Sequence, residues 1–266
     1  HRLIQWHLDR QWQSLRTLAR DLGVLMLGDL PFYVSRDSAD VWSNRSLFSI
    51  LSNGDLSLQS GVPPDYFSET GQLWGTPVYR WKKHRATRFR WWRKRVSRHL
   101  EQVDLLRIDH FRALDSYWAV KGKEETAQDG FWLPSPGREL LKKLQQDLGK
   151  KLPFIAEDLG VITPAVKYLR ERFSLPGMKI LQFAFDGDID NPYLPENIHG
   201  NSWIVYPGTH DNSTTNGWWN ELDQETKNRL LERDQLIENS PCWSFIKMGL
   251  STSACLFIAP IQDLLS

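Results

Sequence analysis

A short apolar run that ends in or leads to a carboxylate recurs six times along this chain, and it restricts the fold more than any other feature. Val24-Leu25-Met26-Leu27-Gly28 ends at Asp29, Val103-Asp104-Leu105-Leu106-Arg107-Ile108 at Asp109, and Leu152-Pro153-Phe154-Ile155-Ala156 at Glu157. Residues 178–185 end at Asp186, Trp203-Ile204-Val205-Tyr206 leads to Asp211, and Leu256-Phe257-Ile258-Ala259 leads to Asp263. Short runs of this kind read as strands buried on both faces, as in a parallel sheet. Helical patterns lie between them. Residues 3–22 open the chain as a helix; Phe89, Trp92, Val96 and Leu100 step by three or four, as do Leu140, Leu141, Leu144 and Leu148. Thr163-Pro164 and Asp223 read as helix starts before residues 165–173 and 224–239.

Alternating strands and helices make an α/β protein, and acids at successive strand ends point to a (β/α)8 barrel, whose active sites are built there. A doubly wound sheet would show a glycine-rich phosphate turn after its first strand, and Gly28-Asp29-Leu30-Pro31 is no such turn. Six strands fall short of eight, so the expectation is a barrel whose first strands are missing. The chain starts at His1 without a signal-like segment and reads as the interior of something longer.

Composition bears on partners. With 33 Lys and Arg against 32 Asp and Glu, the net charge of +1 predicts no preference for a polyanion. No stretch approaches the ~18 apolar residues of a membrane helix. Two cysteines, Cys242 and Cys255, fit a reduced cytoplasmic setting. The ten cations of residues 80–98, interleaved with Trp81, Phe89, Trp91 and Trp92, could mimic a nucleic-acid surface. The apolar stripe Phe89, Trp92, Val96 and Leu100 argues instead for a solvated barrel helix. Thirteen tryptophans exceed ordinary usage and serve either a core or flat platforms for a sugar ring.

Three carboxylates stand out. Asp109 has Arg107 two positions away on the same strand face, which favours the ionised form. Glu157 follows a purely apolar strand, where desolvation favours the protonated form that a general acid needs. Asp211 lies between His210 and Asn212. Two carboxylates driven apart in proton affinity fit glycoside chemistry, and a retaining mechanism requires them about 5–5.5 Å apart. HExxH, CxxC, Walker and Gly-x-Ser-x-Gly motifs do not occur.

At this point the residues resemble a known family. Gly28-Asp29-Leu30-Pro31-Phe32-Tyr33-Val34, Asp37-Ser38-Ala39-Asp40-Val41-Trp42 and residues 61–75 are similar to the 4-α-glucanotransferases (amylomaltases or disproportionating enzymes). So are residues 107–112, Ala156-Glu157-Asp158-Leu159-Gly160, Thr209-His210-Asp211-Asn212 and residues 259–265. The resemblance covers the whole chain but only about the middle half of a family member. It implies an incomplete (β/α)8 barrel over residues 1–266, lacking the first two strands and the C-terminal end, with an active-site loop inserted around residues 55–80. It implies Asp109 as nucleophile, Glu157 as general acid/base and Asp211 as transition-state stabiliser. Arg107 and His210 are their companions, Asp65, Tyr66 and Trp74 belong to the loop over the sugar cleft, and Asp29 supports. Its substrates would be α-1,4-glucans and maltooligosaccharides, with no cofactor, metal, nucleic acid or membrane, in the cytoplasm or in a plant plastid. Two other readings stay open: an α-amylase-like hydrolase, and a glucan-binding or inactive fragment.

Overall fold

The computed structural model describes residues 1–65, 68–233 and 240–265, and the chain divides into two units, His1–Leu175 and Pro176–Ser266. The first unit runs α1 (Arg2–Asp21), β1 (Leu27–Leu30), α2 (Ala39–Ser43), β2 (Leu58–Val62), β3 (Gln72–Pro77), α3 (Trp81–Ala86) and α4 (Arg90–Leu100). It continues β4 (Leu105–Ile108), β5 (Ser116–Lys121), β6 (Gly130–Pro134), α5 (Gly137–Leu148), β7 (Phe154–Ala156) and α6 (Pro164–Arg172). The second unit holds β8 (Gly177–Ile180), β9 (Trp203–Tyr206), α7 (Thr215–Glu221), α8 (Gln224–Arg233), α9 (Pro241–Ser251), β10 (Leu256–Phe257) and α10 (Ile261–Leu265).

Each unit has a three-stranded parallel sheet, in the order β1-β4-β7 and β10-β9-β8, so all six apolar runs form parallel strands. Their limits differ from the sequence reading. Strand β1 begins at Leu27, not at Val24, because Gly23 (φ +72°) turns the chain out of α1 and leaves Val24 and Leu25 exposed. It then runs through Asp29 to Leu30, so Asp29 lies within the strand. The run 178–185 is a strand only to Ile180 and then tightens into a 3-10 turn at Leu181–Phe183. Thr163 caps α6 by accepting from the Val166 N–H, with Pro164 in the first turn.

The segment around residues 55–80 carries regular structure. It supplies β2 and β3 to a four-stranded antiparallel sheet, β3-β2-β5-β6, grafted onto the first unit. Gly71 in the β2–β3 connection has φ +68°, and a Cβ there would stand 2.4 Å from the Val62 carbonyl oxygen, so glycine is required on both counts.

The first unit's core answers part of the tryptophan question. Phe32, Phe48, Tyr79, Trp81, Trp91 and Trp92 are all buried in one aromatic cluster around His84. The basic stretch behaves as a solvated helical surface. Arg85 forks onto Glu139 (2.9 and 2.6 Å), Arg93 pairs with Asp147, and Arg98 reaches Asp9 and Glu101 (2.8 Å each). Such exposed pairs contribute about 0–1 kcal/mol each, so the buried aromatic face holds these helices down.

Candidate active site

The parallel register of the first unit sets the site. Asp29 aligns with Arg107, and Arg107 with Ile155; Leu30, Ile108 and Ala156 align one step later. Asp109 and Glu157 therefore leave their strands at the same level, on the face that also carries Asp29 and Arg107. Backbone bonds fix that level: the Asp109 N–H donates to the Leu30 carbonyl and the Glu157 N–H to the Ile108 carbonyl (3.1 Å each).

Arg107 is buried at 7% exposure and divides its guanidinium between two acids, with Nη1 2.6 Å from Asp29 Oδ2 and Nη2 3.1 Å from Asp109 Oδ1. Burial alone would lower its proton affinity, but Asp29 and Asp109 outweigh burial and the guanidinium stays charged. The Glu157 carboxyl is pushed up to about 7, first by burial and further by Asp109. Backbone N–H bonds from Leu159 to Oε1 (3.0 Å) and from His110 to Oε2 (2.7 Å), together with Arg107, oppose that rise. Two carboxylates on adjacent strands thus stand in different fields, one against a guanidinium and one mainly desolvated.

An aromatic group borders these acids. The Trp74 ring, on β3, lies edge-on to His110 at 4.9 Å and 6.0 Å from Tyr33, with 37% of the residue exposed. Tyr33 and His110 are 6.1 Å apart. Burial lowers the His110 imidazole to about 4, with Arg112 adding to the effect, so the ring is neutral near neutral pH. Sequence reasoning gave neither Tyr33 nor His110 a role, although both stand inside quoted motifs. The available signal was a histidine directly after a strand-end acid.

Asp65 starts a turn by accepting from the Ser68 N–H at 2.9 Å. Tyr66 lies outside the described residues. His210 and Asp211 belong to the second unit, where His210 Nε2 is 3.5 Å from Asp211 Oδ1 and both side chains are well exposed. Asn212 Oδ1 accepts from the Thr209 N–H (2.9 Å) and hydroxyl (3.0 Å), which shapes the turn that presents them. The structure thus gathers Asp29, Arg107, Asp109, Glu157 and Trp74 in the first unit, and His210 with Asp211 in the second.

Fold and site together define an α/β chain of the barrel class, with carboxylates collected at the carboxyl ends of neighbouring parallel strands. A family model described as 4-alpha-glucanotransferase matches residues 1–266, and the chain belongs to that family. It is 47% identical over 267 residues to a 4-alpha-glucanotransferase of Synechocystis sp., covering 100% of this chain and 53% of that protein. It is 45% identical over 262 residues to a chloroplastic/amyloplastic 4-alpha-glucanotransferase of Solanum tuberosum, covering 98% of this chain and 45% of that one. The solved amylomaltase from Streptococcus agalactiae in complex with acarbose superposes with a TM-score of 0.93 at 38% identity, covering 99% of this chain and 53% of that chain. The chain spans about half the length of the curated relatives it matches.

Proposed function

We propose that this chain carries the catalytic rim of a retaining 4-α-glucanotransferase acting on α-1,4-glucans and maltooligosaccharides. The observation that carries the reading is the pair on adjacent strands: Asp109 against the Arg107 guanidinium, and Glu157 with its carboxyl near 7. An Asp109 oxygen attacks the anomeric carbon while the Glu157 proton passes to the departing glycosidic oxygen, leaving a glucosyl ester on Asp109. The 4-hydroxyl of a second glucan then attacks the same carbon, its proton returns to Glu157, and Asp109 is released. Asp211 and His210 grip ring hydroxyls and stabilise the oxocarbenium-like state, Arg107 and Asp29 hold Asp109, and Trp74 with Asp65 and Tyr66 covers the sugar. The family's transferases and the neighbour's acarbose complex support glucans as substrates.

Among the described residues no helix is long and apolar enough to cross a membrane. With two free cysteines and a plastid relative, a cytoplasmic or plastid setting is part of the proposal. The deciding experiment incubates the protein with maltotriose. A ladder of longer maltooligosaccharides is expected, and glucose and maltose alone would make it a hydrolase. Glu157→Gln is expected to lose transfer from glucans by about 10²–10⁴-fold, yet still form a covalent sugar on Asp109 from α-glucosyl fluoride, whose leaving group needs no proton. Loss of both reactions in Glu157→Gln, with fluoride activity kept in Asp109→Asn, would exchange the two roles.

A further inference from the structure

His110 stands in the left-handed region (φ 48°, ψ 49°), where a residue with a Cβ is strained, and it immediately follows Asp109. That conformation helps aim its N–H at Glu157 Oε2, 2.7 Å away, while the Leu159 N–H takes Oε1. One peptide therefore joins the proposed attacking residue to a donor on the proposed acid. The strain is held in place from several sides. The His110 carbonyl accepts from the Ala113 N–H, the Phe111 N–H donates to the Glu157 carbonyl (3.1 Å), and the imidazole is wedged against Trp74 and Tyr33. Arg112 closes the turn, with its guanidinium 4.0 Å over Trp132 and Nη1 on the Val161 carbonyl (3.1 Å).

We infer that His110 is a positioning residue whose left-handed backbone, rather than its imidazole, orients the Glu157 carboxyl toward the leaving oxygen. This rests on the reading of Glu157 as the acid. Its imidazole Nε2 is buried without a hydrogen-bond partner, so the ring gives Glu157 no direct support. The groups that face the carboxyl and share control of it are Arg107 on β4, Asp109 directly after that strand, and the N–H of Leu159.

The test separates backbone from side chain. Asn and Gly enter the left-handed region readily, whereas Ala and Val do not. In the full protein, titration of the Glu157 carboxyl is followed by difference infrared spectroscopy, with Glu157→Gln as the blank, beside the alkaline limb of kcat/KM. His110→Gly and His110→Asn are expected to keep both curves near the wild-type position. His110→Ala and His110→Val keep the N–H but not its aim at Glu157 Oε2, and both curves move up by about one pH unit. If Val prevents folding, Ala alone decides. Shifts in Asn and Gly equal to that in Ala would assign the effect to the imidazole and overturn the inference, as would no shift in Ala. If the infrared curve responds to Ala while the kinetic limb ignores it and survives in Glu157→Gln, the acid assignment falls and the positioning role stands.

Discussion

Glu157 is held in a state that helps chemistry and harms folding. Its carboxyl titrates near 7 in the native chain and near 4.5 when unfolded, so the native state binds the extra proton between those values. The contribution of Glu157 to stability therefore falls as pH rises from 4.5 through 7, by about 3 kcal/mol. Glu157→Gln should accordingly melt higher than the parent at pH 8 and close to it at pH 4.5, which calorimetry at the two pH values will check. Arg107→Met should act in the opposite sense on catalysis. It removes a charge that lowers the Glu157 carboxyl, so the alkaline limb of the rate profile should move up while kcat/KM drops through the loss of support for Asp109. These acids were legible in the sequence because a strand fixes the level and face of each residue by counting. His110 and Tyr33 were not, because their meeting depends on a left-handed residue and on a contact across 77 positions of chain (110 − 33). No local pattern encodes either.

The helices α3 and α4 show how an element can look like one thing by charge and be another by packing. The ten cations of residues 80–98, eight of them on these two helices, lie on a layer whose anchor is Trp81, Trp91 and Trp92. Trp92→Ala should cost about 3–5 kcal/mol in urea unfolding, against under about 1 kcal/mol for Arg93→Ala, whose partner Asp147 is a surface acid. His84, at the centre of that layer, is lowered to about 4 by burial, which outweighs its bond to the Leu47 carbonyl. Its native value lies below the unfolded 6.5, so its contribution is complete above 6.5 and is lost as pH falls toward 4, by about 3 kcal/mol. His84→Leu should remove that contribution, so urea unfolding at pH 7 and at pH 4 should show a smaller loss of stability on acidification in the variant than in the parent. The parallel strands and long helices were readable from apolar periodicity. The antiparallel sheet was not: Leu58–Val62 and Gln72–Pro77 carry Gln, Gly and Pro and show no clean alternation. Strand β2 is stabilised by distant partners, including the Gln59 amide, which donates to the carbonyls of Lys121, Gly122 and Glu124.

At the level of the molecule, the chain has two units with separate cores; Asp109 and Glu157 belong to the first and Asp211 to the second. The six-strand pattern pointed to a barrel type because parallel strands announce themselves by composition; the division at Leu175 has no such signature. Helix α1 has no buried residue, and Leu3, Ile4, Leu8, Leu15, Leu18 and Leu22 are all exposed. An apolar face of that extent favours association. Residues 1–266 produced alone should therefore bind an apolar dye strongly and scatter light at micromolar concentration, and charged substitutions at Leu3, Ile4 and Leu8 should reduce both signals.

The sheet order also sets a timetable. Asp29 and Arg107 are 78 positions apart, and strands β1 and β4 can pair only after the intervening chain, with its aromatic layer, has been brought round. The β5–β6 ribbon closes over fewer than twenty residues, from Ser116 to Pro134. Loop-closure entropy favours the short ribbon, and non-local pairing is slow. On refolding, the ring contact of Trp118 with Trp132 should report order well before Arg107 acquires its two acids. On that order, the ribbon is expected to be in place while the reactive carboxyls are still ordinary acids in water, and catalytic competence to follow it.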